Sequence, residues 1–143
     1  MKKHQEILNS QGGFTLIEII AVLVILGILA AVAVPKFMNM QDEARKKTVQ
    51  GALSAGASNA TMAYSKFLMD NGSAPTKIDG NSWKNASKKV AIETDLGDFT
   101  AAYTYDSTKK SVTVTISAKT GSNTDWVTSL AATDKVKTFN IQS

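Results

Sequence analysis

Phe14–Val34, FTLIEIIAVLVILGILAAVAV, is the stretch on which every other reading of the chain depends. Its 21 residues carry only two clearly polar side chains, Thr15 and Glu18. As a helix it rises roughly 30 Å, the thickness of a bilayer's hydrocarbon core. A helix apolar on all sides is either deeply buried or in lipid. A chain of 143 residues is too small to wrap one. The sequence therefore predicts a membrane-inserted helix. On its N-terminal side, Met1–Gly13 (MKKHQEILNSQGG) is polar, carries Lys2 and Lys3, and lacks an apolar centre. No A-x-A-like site follows the span, so the span is expected to be retained and any cut to fall before it.

Glu18 is the anomaly within the span. A carboxylate there costs roughly 2.5–3.5 kcal/mol on insertion scales. Its position one turn into the helix, near the positive end of the dipole, returns under about 1 kcal/mol. A cationic partner is the better explanation. A cut after Gly13 would give Phe14 a free α-amine, and Glu18 could pair with its own amine or with that of a neighbouring copy. The second pairing would set the axial register of an assembly.

Gly13-Phe14-Thr15-Leu16-Ile17-Glu18 resembles the cleavage and N-methylation motif of type IV pilins and type II secretion pseudopilins. The basic leader, the Gly before the cut, the new N-terminal Phe, the Glu at its fifth position, the aliphatic run and Pro35 all fit. The resemblance implies that a membrane prepilin peptidase removes residues 1–13 and methylates Phe14. It also implies a long "lollipop" helix bearing a small β-rich head, and an inner-membrane assembly platform with its ATPase. Val34–Arg45 and the Ala/Gly/Ser-rich helix as far as Lys66 are similar to the mannose-sensitive haemagglutinin pilin group. The chain departs from many pilins in having no cysteine to close a C-terminal loop, so packing must hold the head.

Beyond the span, Phe37–Leu68 contains no Pro and is rich in helix formers. Val49, Leu53, Gly56, Ala60, Ala63, Tyr64 and Phe67 recur at three- and four-residue steps, the face expected to pack on a sheet. Gly27 and Pro35 bracket a segment expected to kink or unwind, since Pro removes a helix donor and Gly weakens the helix. Asp70-Asn71-Gly72-Ser73-Ala74-Pro75 predicts the helix end, giving a helix from about Phe14 to Met69. Asn71–Lys89 reads as a polar connecting loop anchored by Trp83. Period-two alternation then predicts strands over Phe99–Tyr105 and Val112–Ser117, joined by a turn at Asp106–Lys110. Val90–Thr94 and Lys135–Gln142 are possible outer strands, with Val136 out of phase with Phe139 and Ile141, and Trp126–Ala132 a helical turn. The expected fold is α+β and pilin-like: one long N-terminal helix, hydrophobic in its first half, on a small antiparallel sheet. Its expected parts are a leader (1–13), a transmembrane and assembly helix (14–35), its amphipathic continuation (36–69) and the head (70–143).

Composition narrows the function. There is no Cys and a single His, His4, which removes most nucleophilic, acid–base and metal chemistry at neutral pH. No enzyme, cofactor or metal site is expected. The net charge of +4 is scattered lysine and argues weakly for nucleic acid, so none is expected as a partner. The resemblance implies calcium in a C-terminal loop of major pseudopilins. Asp95, Asp98, Asp106, Asn123 and Asp125 are the oxygen donors available, but they form no dense D-x-D-x-D array, and solvated surface acids are the preferred reading. Lys36, Arg45, Lys46 and Lys47 lie just past the span, against the positive-inside rule for a cytoplasmic Lys2-Lys3, and the cleavage motif outweighs the rule here. Asn59, Asn71 and Asn85 fit the N-glycosylation pattern, which arises often by chance. The sequence thus points to the major subunit of a type IV pilus filament. On this reading it is a single-pass inner-membrane protein before assembly and an extracellular homopolymer after it. The alternative is a major pseudopilin of type II secretion.

Overall fold

The computed structural model describes residues 13–141, so that Gly13 alone of the expected leader, and none of Gln142 onward, falls within it. The chain divides into two units, residues 1–42 and 43–143. A single helix, α1 (Leu16–Asn71), contributes to both. It starts two residues later than the sequence predicts because Thr15 serves as its cap. It ends two residues later because Asn71 itself closes the last turn, its Nδ2 donating to the Phe67 carbonyl at 2.8 Å. Gly72 follows at φ +64°, and its N–H bonds the Leu68 carbonyl at 2.8 Å. This is the left-handed stop that Gly adopts without steric cost.

In the first unit every described residue, Gly13 to Asp42, is exposed. The helix continues unbroken past Gly27 and Pro35.

The second unit holds the core. Val49, Ala52, Leu53, Gly56, Ala60, Ala63, Tyr64 and Phe67 form the buried stripe of α1, matching the three- and four-residue steps in the sequence. Opposite them stand β4 (Asp95–Leu96), β5 (Phe99–Asp106), β6 (Ser111–Ala118) and β7 (Val136–Asn140), an antiparallel sheet in that order. Phe99, Ala101 and Tyr103 of β5, and Val112, Val114 and Ile116 of β6, alternate into the core. Gly56 marks the closest approach of helix and sheet. A Cβ there would lie 2.9 Å from a Val114 methyl and 3.5 Å from the Tyr103 hydroxyl.

The stretch expected to be a polar loop is instead a second small antiparallel sheet, β1 (Lys77–Ile78), β2 (Ser82–Lys84) and β3 (Lys89–Ala91). Its strands are too short and too rich in lysine to show an apolar alternation. The legible signal was the turn: Gly80 and Asn81 take φ +54° and +55° between Asp79 and Ser82, the two-residue hairpin loop that suits a twisted pair. Trp83 anchors this sheet as expected. It is fully buried, its Nε1 donates to the Ala60 carbonyl at 2.9 Å, and its ring meets Tyr64 and Tyr105 edge-on at 5.1 Å.

One further expectation needs correction. Val90–Thr94 is not one strand: the Glu93 carboxylate accepts the Thr94 and Asp95 N–H groups at 2.9 Å and turns the chain between β3 and β4. The helical turn expected at Trp126–Ala132 is present as a short 3-10 helix, Asp125–Ser129, and a second, Ala132–Lys135, follows it.

Candidate functional site: the N-terminus of the apolar helix

Five residues were singled out in the sequence: Gly13, Phe14, Glu18, Gly27 and Pro35. Gly13 and Phe14 precede α1 outside any helix or strand, and Phe14 is 85% exposed. Among the described residues, none beyond its chain neighbours lies within 4 Å of the position a Cβ would take at Gly13.

Glu18 has a local partner that sequence reasoning missed. Its carboxylate accepts the Thr15 N–H at 2.7 Å and the Thr15 hydroxyl at 2.8 Å, while the Glu18 N–H donates to the Thr15 hydroxyl at 3.3 Å. Thr15 and Glu18 form a capping box, each side chain closing the other residue's backbone donor. The signal stood in the sequence as Thr-x-x-Glu ahead of an apolar run. The box places the carboxylate at the outermost turn and satisfies one of its oxygens. A cap is worth about 1 kcal/mol, which leaves part of the roughly 2.5–3.5 kcal/mol insertion cost unmet.

Gly27 has nothing within 4 Å of its would-be Cβ, so packing inside the chain gives no reason for glycine there. Residues 16–34 present Leu, Ile and Val on all sides to the surroundings, long and apolar enough to cross a membrane.

Of the cations past the span, Arg45, Lys46 and Lys47 are used within the second unit. Lys46 Nζ lies 3.6 Å from the Asp134 carboxylate, Arg45 stacks over Trp126 at 5.4 Å, and Lys47 donates to Gln50 at 3.4 Å. Their packing accounts for residues that the positive-inside rule counts as topology signals.

The candidate calcium donors do not converge. Asp95 is held by Lys119 Nζ at 2.6 Å and by the Gly97 N–H at 3.0 Å, and both depress its carboxyl below the usual carboxylate range, Lys119 the more. Asp106 accepts the N–H groups of Thr108 and Lys109 in the β5–β6 turn. Among the described residues no three acids or histidines gather around a common point. All three glycosylation-pattern asparagines, Asn59, Asn71 and Asn85, spend their side chains on backbone groups.

Residues 8–34 match the prokaryotic N-terminal methylation motif. The chain is 31% identical over 91 residues to a type IV narrow pilus major component of Thermus thermophilus, covering 56% of this chain and 75% of that one. The chain belongs to the type IV pilin family. This pilin is also 43% identical over 72 residues to the type II secretion system core protein G of Pseudomonas aeruginosa, half of this chain and 48% of that one. To the type IV major alpha-pilin of Moraxella bovis it is 45% identical over 49 residues, 34% of this chain and 31% of that one. The pilin thus spans about half the length of the secretion-system relatives it matches. No solved structure matched it significantly.

Proposed function

We propose that the chain is the major structural subunit of a type IV pilus, serving adhesion, surface attachment or motility. The observation that carries this reading is an apolar helix, exposed on all sides, that opens on one capped carboxylate directly after Gly13-Phe14. Such a surface is stable only in lipid or against other apolar helices. The subunit waits as a single-pass protein in the inner membrane. A prepilin peptidase cuts between Gly13 and Phe14 and methylates the new amine. A platform protein and ATPase then move the subunit into a helical homopolymer outside the cell. There the apolar helices cover one another, and Glu18 pairs with the Phe14 amine of a neighbour. Gly27 and Pro35 bound the segment that loosens in the fibre, since a helix without a Cβ at one end and without a donor at the other opens at least cost. Residues 1–13 act as leader, 14–35 as assembly helix, 36–69 as its continuation and 70–143 as head.

The test is the mass of the subunit in shear-released fibres. It should equal residues 14–143 plus one methyl group. Fibres built from the uncut chain refute the reading.

The likeness to the secretion-system core protein G favours a second reading, a major pseudopilin of type II secretion. A deletion strain that traps extracellular enzymes in the periplasm and makes no long fibres in the parent selects it over the first.

A further inference from the structure

The β1–β3 sheet contains an arrangement that costs stability. Its register sets Lys77 opposite Lys84 and Lys84 opposite Lys89. Three lysines therefore stand in one row across three strands, roughly 4.8 Å from strand to strand. Like charges directly opposed destabilise a sheet. Among the described residues one acid pairs with them: Asp79, at 3.1 Å from Lys84 Nζ. The Asp79 carboxyl is held below its usual range by its bond to Lys84 and by the fields of Lys84, Lys77 and Lys89. The row keeps an uncompensated charge facing solvent. Trp83 lies on the opposite, buried face, so no exposed aromatic there offers a stacking platform for a base or a sugar.

The row lies toward the β5–β6 hairpin. The Thr76 N–H bonds the Lys84 carbonyl, and Thr76 lines one cleft with Tyr105 and Ser107. The other end of the β5–β6 ladder carries Asp95, Asp98 and Asp125 against one lysine, Lys119, whose ammonium is taken up by Asp95 at 2.6 Å. Asp98, just before β5, and Asp125, after β6, are exposed there. They are brought together by Thr124, whose hydroxyl bonds the Asp98 carbonyl at 3.3 Å. Neither carboxylate has an ion pair among the described residues. The two ends are separated by the length of an eight-residue strand, roughly 25 Å. One molecule thus carries complementary charge on two different patches, the β1–β3 sheet and the far end of the β5–β6 ladder, and a contact between different patches is heterologous and propagates where its rotation does not close.

We infer that the Lys77–Lys84–Lys89 row docks on the Asp98–Asp125 end of a second copy of this chain. The inference rests on the fibre reading above and adds a polar contact between heads to the apolar contact between helices. Charge of this kind selects partner and register more than it adds affinity.

Charge exchange in the full chain, expressed in its own host, tests it. The lysine reversal is Lys77→Glu with Lys89→Glu, leaving the Lys84–Asp79 pair in place. The aspartate reversal is Asp98→Lys with Asp125→Lys. Each alone should lower the yield of sheared fibres about tenfold, because like charges then meet at the contact. The two combined should restore fibres. Detergent-solubilised subunits are melted in parallel, and the neutral variants Lys77→Gln/Lys89→Gln and Asp98→Asn/Asp125→Asn replace any reversal that lowers the melting temperature. Each neutral pair should show a partial loss.

Full fibre yield from both single reversals overturns the inference, as does failure of the combined variant to recover. Loss from the lysine reversal with none from the aspartate reversal also overturns it, and assigns the row to a different polyanion. Absence of fibres in the parent strain refutes the proposed function itself, a result separate from all of these.

Discussion

Residues 43–141 and residues 13–42 hold nearly the same number of Val, Ile and Leu side chains, 14 and 13, the second in less than a third of the length, and they solve the problem of water in opposite ways. The first group turns Val49, Phe67, Trp83, Val112 and Val114 wholly inward. The second leaves Leu16, Ile17, Leu23 and Ile28 more than half exposed. Burial of a large apolar side chain contributes about 1.5–3 kcal/mol. The head collects that stabilisation from its own chain, whereas the apolar helix can collect it only from lipid or from other molecules. A substitution should therefore register in folding in one region and in assembly in the other.

The largest contrast is expected at Glu18. Glu18→Gln keeps an acceptor for Thr15 and so preserves the capping box, which tolerates either residue. It removes only the charge. If the charge pairs with a neighbour's amine, fibres should vanish while processing continues, read by shear yield and subunit mass. Thr15→Val removes the capping hydroxyl and leaves the charge, and should leave most fibres intact. The reverse outcome would make the local cap, and not the intermolecular pair, the reason for Glu18.

Next is a matched pair of deletions. Trp83→Ala should cost about 3–5 kcal/mol of head stability, since it empties a fully buried site and abandons the Ala60 carbonyl. Leu26→Ala, in the exposed helix, should change the unfolding free energy of the detergent-solubilised chain by less than about 0.5 kcal/mol. It should instead lower the temperature at which fibres dissociate. Equal effects on folding at both sites would erase the distinction between the two regions.

The two regions also differed in how much of them the sequence disclosed. The apolar helix was legible because a single long pattern specifies it, and so were the buried stripe of α1 and the β5–β6 hairpin, each with a period sustained over many residues. The β1–β3 sheet was hidden because strands of two or three residues hold too few positions to display a period, and lysine occupies one row of it. Only the Gly80-Asn81 turn carried the signal. At the helix N-terminus, Glu18 drew attention as an intramembrane charge, which obscured its ordinary role as partner to Thr15. The cations Arg45 and Lys46 were unreadable for a different reason. Their partners, Trp126 and Asp134, lie some eighty residues away, and no local pattern links them.

A smaller effect sharpens the account of the head itself. Gly56→Ala gains helix propensity of about 1 kcal/mol but drives a methyl to 2.9 Å from Val114, a fully buried and rotationally stiff side chain. Overpacking of this kind costs about 1–3 kcal/mol. The variant should be less stable by about 1 kcal/mol in denaturant unfolding. The same change at Gly27, where space is open, should leave the head unaffected and report only on the fibre.

The smallest effect expected is electrostatic. Lys119 and the Gly97 N–H lower the Asp95 carboxyl from its ordinary value of 3.8. A carboxylate whose pKa is depressed on folding binds fewer protons in the native state than in the unfolded one. It therefore contributes stability above the unfolded pKa, and that contribution is lost as pH falls through the folded one. Head stability should thus be flat in this term from neutral pH down to about 5 and decline below about 4. Both partners are exposed, so solvent and salt screen the pair and its contribution is modest. Lys119→Ala should lower stability slightly at pH 7 and flatten the acid limb, because Asp95 then has less of its depressed pKa to lose. An acid limb of unchanged steepness in that variant would transfer the effect to the other depressed carboxyl of the head, Asp79, and Lys84→Ala would then be the substitution that flattens it.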